Sequence, residues 1–564
     1  MSADRLALVE RHKQLIALAI EAVDTRKSWS PFKDSPSTKI HGPEKPVAGK
    51  AAFEARLGQR FDLGQPGVTH WVGEEVSPYT QEALGITYPV SDPAALVEVA
   101  SKAVPAWAKA DPELRMALCA EMAVRLYDRN FEMAQAVMHV AGQSYTQAFS
   151  GSGPNALDRG IEALAYAAKA MRGVTSRAAY HRDFAGEPVA LDKTYTLQPR
   201  GIGLVICCAS FPTWNAYPAM FASLATGNPV IVKPHPIAVL PMAIVVETCR
   251  DVLREYGFDA NLVTLAVDTL AAPVAGKLVD DPAVQIIDFT GSPRYGGHLE
   301  RTVTGKLLFT ETAGVNSIVV ESVEDLAQSA RAIARATCLF SAQMCTSPQV
   351  VYVPKDGIRT GAGHATFHEV AQAIVAEVDA LAANPAQASA IMGAVQGKVS
   401  LDVVHETRAA AEKHGLRVLR EASPYEHPQF PNARTMTPLV LAVEPQHQEL
   451  YAEERFGPVL FIVADGNGDA AVAEATELAK TSGAISCYLY STDEAFIERS
   501  VELYERAGAN LSINLTGAMW INFAAAYSDY HVTGLNPAGN ACLTDIAFVA
   551  SRFRIVQRRR PIAA

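Results

Sequence analysis

The sequence has no C-x-x-C pair and only eight cysteines among 564 residues: Cys119, Cys207, Cys208, Cys249, Cys338, Cys345, Cys487 and Cys542. Thiols this sparse exclude a disulfide framework and a cysteine-based zinc site, and they fit reduced side chains in a cytosolic chain. No uncharged apolar run reaches the roughly 18 residues of a membrane span. The segment Met1 to Val23 carries Asp4, Arg5, Glu10, Arg11 and Lys13. It reads as a charged amphipathic helix without the apolar core of a signal peptide. Positive charge is in short supply: 49 Lys and Arg against 60 Asp and Glu give a net charge of −11. That argues against a nonspecific nucleic-acid binder. The one dense basic run, Arg552 to Arg560, reads as a solvated tail. A G-x-G-x-x-G fingerprint is also missing, because Gly201-Ile-Gly203 lacks the third glycine and precedes a strand.

What remains is ordinary globular material, with 49% hydrophobic and 19% charged residues. Its length predicts two to four domains. Residues Asp92 to Ala110 and Pro112 to Val137 carry apolar side chains at helical spacing. Short Val- and Ile-rich runs, Leu204 to Cys208, Pro229 to Val232 and Ala283 to Phe289, suit strands of a parallel sheet buried on both faces. Helical segments lie between them. Runs at Asn316, Gln349, Val459 and Ala484 repeat the alternation, so two α/β units are expected. Ser28 to Pro46, dense in Ser, Pro and Lys, reads as an arm on the surface. Ser176 to Leu197 reads as one strand of a flap, and Ile546 to Val556 as its strand partner.

Chemistry begins at Cys345, in Ser341-Ala-Gln-Met-Cys345-Thr-Ser. It follows a helical pattern and precedes a strand, at an edge where backbone N–H groups can lower a thiol pKa. Glu311 lies upstream in Leu308-Phe-Thr-Glu311-Thr-Ala-Gly314. A cysteine nucleophile with a carboxylate base suits covalent catalysis, although an inert buried cysteine is the commoner outcome for such a pair. Phe289-Thr-Gly291-Ser292-Pro-Arg-Tyr-Gly296 follows a strand and opens a helix, where backbone donors can face a pyrophosphate. Gly227-Asn228-Pro-Val-Ile-Val-Lys233-Pro234 ends a strand in a lysine that can reach a ribose or phosphate at the sheet's carboxyl edge.

Taken in order, these segments resemble the aldehyde dehydrogenase superfamily. The motifs are Pro199-Arg-Gly201, Phe211-Pro212, the Lys233 segment, Phe289-Thr-Gly-Ser292 and Glu311-Thr-Ala-Gly314-Val-Asn316. Gln343-Met-Cys345 and Glu453-Glu454-Arg-Phe456-Gly457-Pro458 follow. The resemblance implies an aldehyde dehydrogenase-like α/β fold: a Rossmann-like cofactor domain, an α/β catalytic domain and a β oligomerisation flap. The corresponding spans are an N-terminal extension over 1–92, an NAD(P)-binding domain over 93–308 with its flap at about 174–198, a catalytic domain over 309–520, and a C-terminal oligomerisation segment over 521–564. It implies Cys345 as the nucleophile that forms a thiohemiacetal and then a thioester, with Glu311 as the base that activates the hydrolytic water. Lys233 and Glu454 match positions that hold the cofactor riboses. Phe456 packs near the nicotinamide, and Gly291, Ser292 and Gly296 belong to the pyrophosphate segment. No metal is implied. A homodimer or homotetramer in the cytoplasm is expected.

Departures from the family pattern carry information. The oxyanion asparagine falls on Ser210, whose hydroxyl can still donate one hydrogen bond. Asn215 is a displaced candidate, with a helix cap as its plain reading. Ser210 is favoured. Pro236 stands where NAD-preferring members often place a glutamate, which tilts the cofactor toward NADP, with NAD possible. The family's C-terminal loop motif is replaced by His531-Val-Thr-Gly-Leu-Asn-Pro-Ala-Gly539. The N-terminal extension and the Ala-Ser-Phe-Pro-Thr-Trp-Asn variant look most like the phenylacetic acid degradation proteins PaaN and PaaZ. That resemblance implies oxidation of a CoA-linked, ring-opened semialdehyde, without the hydratase-like domain of PaaZ. Rival readings are a CoA-acylating enzyme, an acyl-phosphate reductase, or an impaired homologue acting as a binding protein.

Overall fold

The computed structural model describes residues 2–521 and 525–562. A five-stranded parallel sheet is built from Ile202–Ile206, Val230–Lys233, Val263–Leu265, Val284–Thr290 and Leu307–Glu311. Counting these strands in chain order, they lie side by side as third, second, first, fourth and fifth. This doubly wound order reverses between Ile202–Ile206 and Val284–Thr290, and a crevice opens at their carboxyl ends. The central strands are buried on both faces, which is why they read as unbroken apolar runs.

The chain crosses directly from Leu307–Glu311 to Asn316–Val320, the first strand of a second sheet. That sheet has seven strands in the order Arg417–Arg420, Leu439–Val443, Val459–Asp465, Pro348–Pro354, Asn316–Val320, Ser486–Tyr490 and Asn510–Ile513. All are parallel except the edge strand Arg417–Arg420. Gly314 sits in the crossing, where a Cβ would lie 2.2 Å from the Gly483 carbonyl oxygen. Only glycine permits that approach. Glu311 thus ends the first sheet, and Cys345 lies three residues before a central strand of the second.

A third sheet stands apart. The hairpin Arg177–Phe184 and Glu187–Pro199 pairs with Phe553–Pro561, in register from Phe553–Pro199 to Pro561–Leu191. The expected partner strand Ile546 to Val556 is therefore corrected in its first half. Ile546–Ala550 is a helix, capped by the Asp545 carboxylate accepting the Phe548 N–H at 2.8 Å, with Phe548 and Val549 buried. The solvated-tail reading of Arg552 to Arg560 is corrected as well. Arg552 is fully buried and makes a two-pronged bond to Asp288, at 2.5 and 2.8 Å. The following arginines project from the flap strand.

Two helical expectations also change. Pro112 to Val137 breaks at Arg129 into Pro112–Asp128 and Asn130–Ala141. Ser28 to Pro46 contains the short helix Thr38–His41 and runs into the helix Glu44–Glu54. The long helix Ala3–Thr25 is docked through Leu8, Ile16 and Ala19. Among the described residues no helix is long and apolar enough to cross a membrane.

Candidate active site

The loop that leads into Cys345 is strained and tightly tied. Phe340, Ser341 and Ala342 all have positive φ, at 50°, 49° and 53°. Each such L-residue costs about 1–2 kcal/mol, so the surroundings must hold the turn. Ser341 Oγ donates to the Met392 carbonyl at 3.1 Å. Gln343 is fully buried; its Nε2 donates to the Phe340 and Ala394 carbonyls at 3.1 and 3.2 Å, and its Oε1 accepts the Gln396 N–H at 2.9 Å. Asn316 Nδ2 donates to the Cys345 carbonyl at 2.8 Å. Sequence reasoning quoted Gln343 and Asn316 only as motif letters; their amides hold the loop.

Cys345 Sγ lies 3.9 Å from Glu311 Oε1. The structure thus brings together two residues separated by 34 positions. His531 Nε2 stands 3.0 Å from the same carboxylate oxygen. The thiol, carboxylate and imidazole atoms all lie within 4.8 Å of one another. Glu311 is fully buried and His531 is 3% exposed. His531 is the site residue that the sequence did not assign. The signal was present as a histidine in a segment departing from the family pattern, but no spacing rule links it to Glu311.

The environment raises the Cys345 thiol pKa: the backbone N–H lowers it, as expected, but the opposing causes outweigh that contribution. Burial is the largest cause, followed by the nearby Glu311, Cys208 and Glu454. Cys208 is the second thiol at the site, pushed up to about 11 by burial. Its Sγ donates to the Phe211 carbonyl at 3.3 Å, and the Ser210 side chain hydrogen-bonds to it. Ser210 is buried beside this cluster, its carbonyl accepting from Gln143 Nε2 at 2.8 Å. Asn215 opens the helix Ala216–Ala225 but its side chain does not cap it. Instead Nδ2 donates to Thr290 Oγ1 at 3.1 Å across the sheet reversal.

The crevice at that reversal is lined by Val205, Cys208, Asn215, Phe289 and Thr290. Thr290-Gly291-Ser292 leads into the helix Pro293–Thr302, and Ser292 Oγ accepts the Tyr295 N–H at 3.4 Å. Gly291 N–H donates to the Glu311 carbonyl at 3.1 Å, tying the two segments. Gly296 is buried against Thr312. At the next carboxyl end, Lys233 Nζ pairs with Asp268 Oδ1 at 2.5 Å and donates to the Pro234 carbonyl at 2.9 Å. Asp268 was not singled out from the sequence. It supplies a carboxylate beside Lys233 although Pro236 does not. On the opposite side, Glu454 and Phe456 lie partly buried in the loop before Val459–Asp465. Gln349 holds that loop by donating to the Tyr451 and Glu453 carbonyls and accepting the Arg455 N–H. Burial pushes the Glu454 carboxyl up to about 8.

A doubly wound parallel sheet with a crevice at its reversal, and a thiol set against a buried carboxylate at the junction with a second α/β sheet, is the architecture of an α/β enzyme. Residues 71–524 match the model of the aldehyde dehydrogenase family, and the chain belongs to that family. It is similar to an NAD-dependent aldehyde dehydrogenase from Burkholderia multivorans, at 44% identity over 99% of each chain with a TM-score of 0.95. Among curated proteins it is 25% identical over 525 residues to the 1-pyrroline-5-carboxylate dehydrogenase of Bacillus pumilus, covering 87% of this chain and 92% of that one. The 1-pyrroline-5-carboxylate dehydrogenase of Thermus thermophilus shares the fold, with a TM-score of 0.75 at 21% identity over 95% of this chain and all of that one.

Proposed function

We propose that this enzyme oxidises an aldehyde to the free carboxylic acid through a thioester on Cys345. The observation that carries the reading is the 3.9 Å approach of Cys345 Sγ to Glu311 Oε1. Cys345 adds to the aldehyde carbon, forming a C–S bond, while the aldehyde oxygen gains a proton. The Ser210 hydroxyl and the Cys345 N–H are the oxyanion donors, with Asn215 turned toward Thr290 instead. Bound NAD(P) supplies the hydride acceptor. Loss of hydride and proton leaves the thioester. Glu311 then activates water to cleave it, and retention of this carboxylate favours hydrolysis over release by CoA.

The residues present fit a dinucleotide. The Gly291–Ser292 turn and the Lys233–Asp268 pair both lie at carboxyl ends of the first sheet, and Glu454 is close enough to act electrostatically on Cys345. Asp268 offsets the tilt toward NADP drawn from Pro236, because a carboxylate beside Lys233 repels a 2′-phosphate and accepts from ribose hydroxyls. NAD is therefore the preferred acceptor in this reading.

The finer assignment is a CoA-linked semialdehyde of phenylacetate breakdown. Its support is the N-terminal extension and the Ser210-Phe-Pro-Thr-Trp-Asn215 variant. The exposed apolar residues of the flap, Ile555 and Val556 among them, support a homo-oligomer. The test is a panel of aldehydes, CoA-linked semialdehydes included, assayed with NAD and NADP. Turnover with a CoA-linked member at a kcat/KM well above simple aldehydes supports the substrate assignment; preference for small free aldehydes removes it. A requirement for free CoA or phosphate removes the hydrolytic reading.

A further inference from the structure

We infer that His531 is the positioning partner of Glu311, holding one carboxylate oxygen through its ring so that the other can take a proton from water during thioester hydrolysis. The inference rests on the reading of Glu311 as the hydrolytic base.

A fully buried carboxylate needs a partner, since an isolated charge out of water costs many kcal/mol. The polar groups around Glu311 are few. Cys345 approaches at 3.9 Å, and Cys208 lies within electrostatic reach; both are thiols raised above their usual pKa range. Lys233 is engaged with Asp268. Arg159 lies over the far side of the Trp214 ring and pairs with Glu162. Among the described residues, His531 Nε2 is the side-chain nitrogen at hydrogen-bond distance from the carboxylate, at 3.0 Å.

The imidazole is fixed from several sides. Its own backbone N–H donates to Thr544 Oγ1 at 3.2 Å, and its carbonyl accepts from Asn510 Nδ2 at 2.7 Å. The Trp214 Nε1–H also points at Nε2, from 3.3 Å; we place the ring proton on Nε2, toward the closer Glu311 Oε1 at 3.0 Å. The segment that carries it lies along the end of the first sheet: Gly539 bridges to Glu311, and the Thr312 N–H donates to the Ala538 carbonyl at 2.8 Å.

Two atoms decide the roles. Among the described residues, Glu311 Oε2 and His531 Nδ1 are buried with no hydrogen-bond partner. A ring proton on Nε2 faces Oε1, and Oε2 keeps its lone pairs for a water. The water oxygen bonds to the acyl carbon as one of its protons passes to Oε2. The carbonyl electrons move to oxygen and return as the C–Sγ bond breaks. The Oε2 proton then goes to Sγ, restoring the thiol, and the acid departs with the water's O–H. Between those events the extra proton stays on Oε2, while the ring N–H holds Oε1 in place.

The test uses full-length His531→Asn and His531→Gln variants with an aldehyde the wild type turns over. Either amide can donate an N–H, but from a different position than the ring, so the carboxylate is no longer held in the same place. The expected result is an unchanged pre-steady-state burst of reduced cofactor with steady-state turnover lowered roughly ten- to hundredfold. The pH profile of kcat should change as well, because the ring no longer holds the carboxylate. A cofactor-free readout is the lifetime of acetyl-Cys345 formed from p-nitrophenyl acetate, which should lengthen by a similar factor. Wild-type turnover with an unmoved pH profile overturns the inference while leaving the Cys345 mechanism standing. So does equal loss of burst and turnover in both variants, which makes His531 scaffold only. If the wild type itself gives neither burst nor acyl adduct, the parent reading fails and this one with it.

Discussion

Asn316 joins two sheet segments through one amide: Nδ2 donates to the Cys345 and Ser347 carbonyls at 2.8 and 3.1 Å, and Oδ1 accepts the Ile485 and Ser486 N–H groups at 2.9 Å each. Asn316→Asp keeps the acceptor toward Ser486–Tyr490 and loses the donors toward Cys345. Each buried group left unpaired costs about 1–3 kcal/mol. The expected outcome is a kcat loss of at least about tenfold, from a displaced sulfur, with cofactor affinity unchanged. Single-turnover kinetics and cofactor titration check it, and an unchanged kcat contradicts it.

The Lys233–Asp268 pair predicts cofactor choice. Replacing Asp268 with Asn removes the charge that repels a 2′-phosphate and frees the Lys233 ammonium. The ratio of kcat/KM for NADP to that for NAD should rise by about tenfold or more, the equivalent of about 1.4 kcal/mol. A ratio that stays constant removes Asp268 from the cofactor site.

Glu454 gives a pH prediction. Burial raises its carboxyl to about 8, so below that pH the protonated form dominates. If the ionised form accepts from the ribose hydroxyls, cofactor Kd should fall as pH rises toward 8 and level off above it. Glu454→Gln should weaken binding and flatten this dependence. Isothermal titration at pH 6.5 and 8.5 distinguishes the two.

Arg552 is buried with Asp288 and also donates to Ser223 Oγ at 2.7 Å, its guanidinium stacked on Phe309 and Phe548. Arg552→Met leaves Asp288 buried and unpaired, at a cost of about 3–5 kcal/mol. Adding Asp288→Asn should recover much of that loss. Denaturant unfolding of both variants measures it, and equal destabilisation contradicts the pairing.

The parallel strands were legible because burial on both faces leaves runs such as Leu204 to Cys208 and Gln349 to Val353 without polar interruption. Cys345 and Glu311 were legible through their motifs. Local residue patterns miss contacts made across the chain. Asp268 reaches Lys233 because their strands are neighbours. His531 reaches Glu311 because its segment lies along the first sheet's end. The raised Cys345 thiol depends first on burial and then on two carboxylates, Glu311 and Glu454, and the Cys208 thiol, from three different segments. The helix at Ile546–Ala550 was read as strand because an apolar run this short carries no distinguishing period; its Asp545 cap was the available signal. Arg552 looked solvated among other arginines, and only Asp288 on a distant strand explains its burial.

The central claim, covalent oxidation at Cys345 completed by Glu311, is tested most directly by intact-protein mass spectrometry of Glu311→Gln after exposure to aldehyde and oxidised cofactor. The account predicts one acyl adduct on Cys345, one equivalent of reduced cofactor and slow further turnover. Full steady-state turnover in this variant, or reduced cofactor released without any adduct, would contradict it.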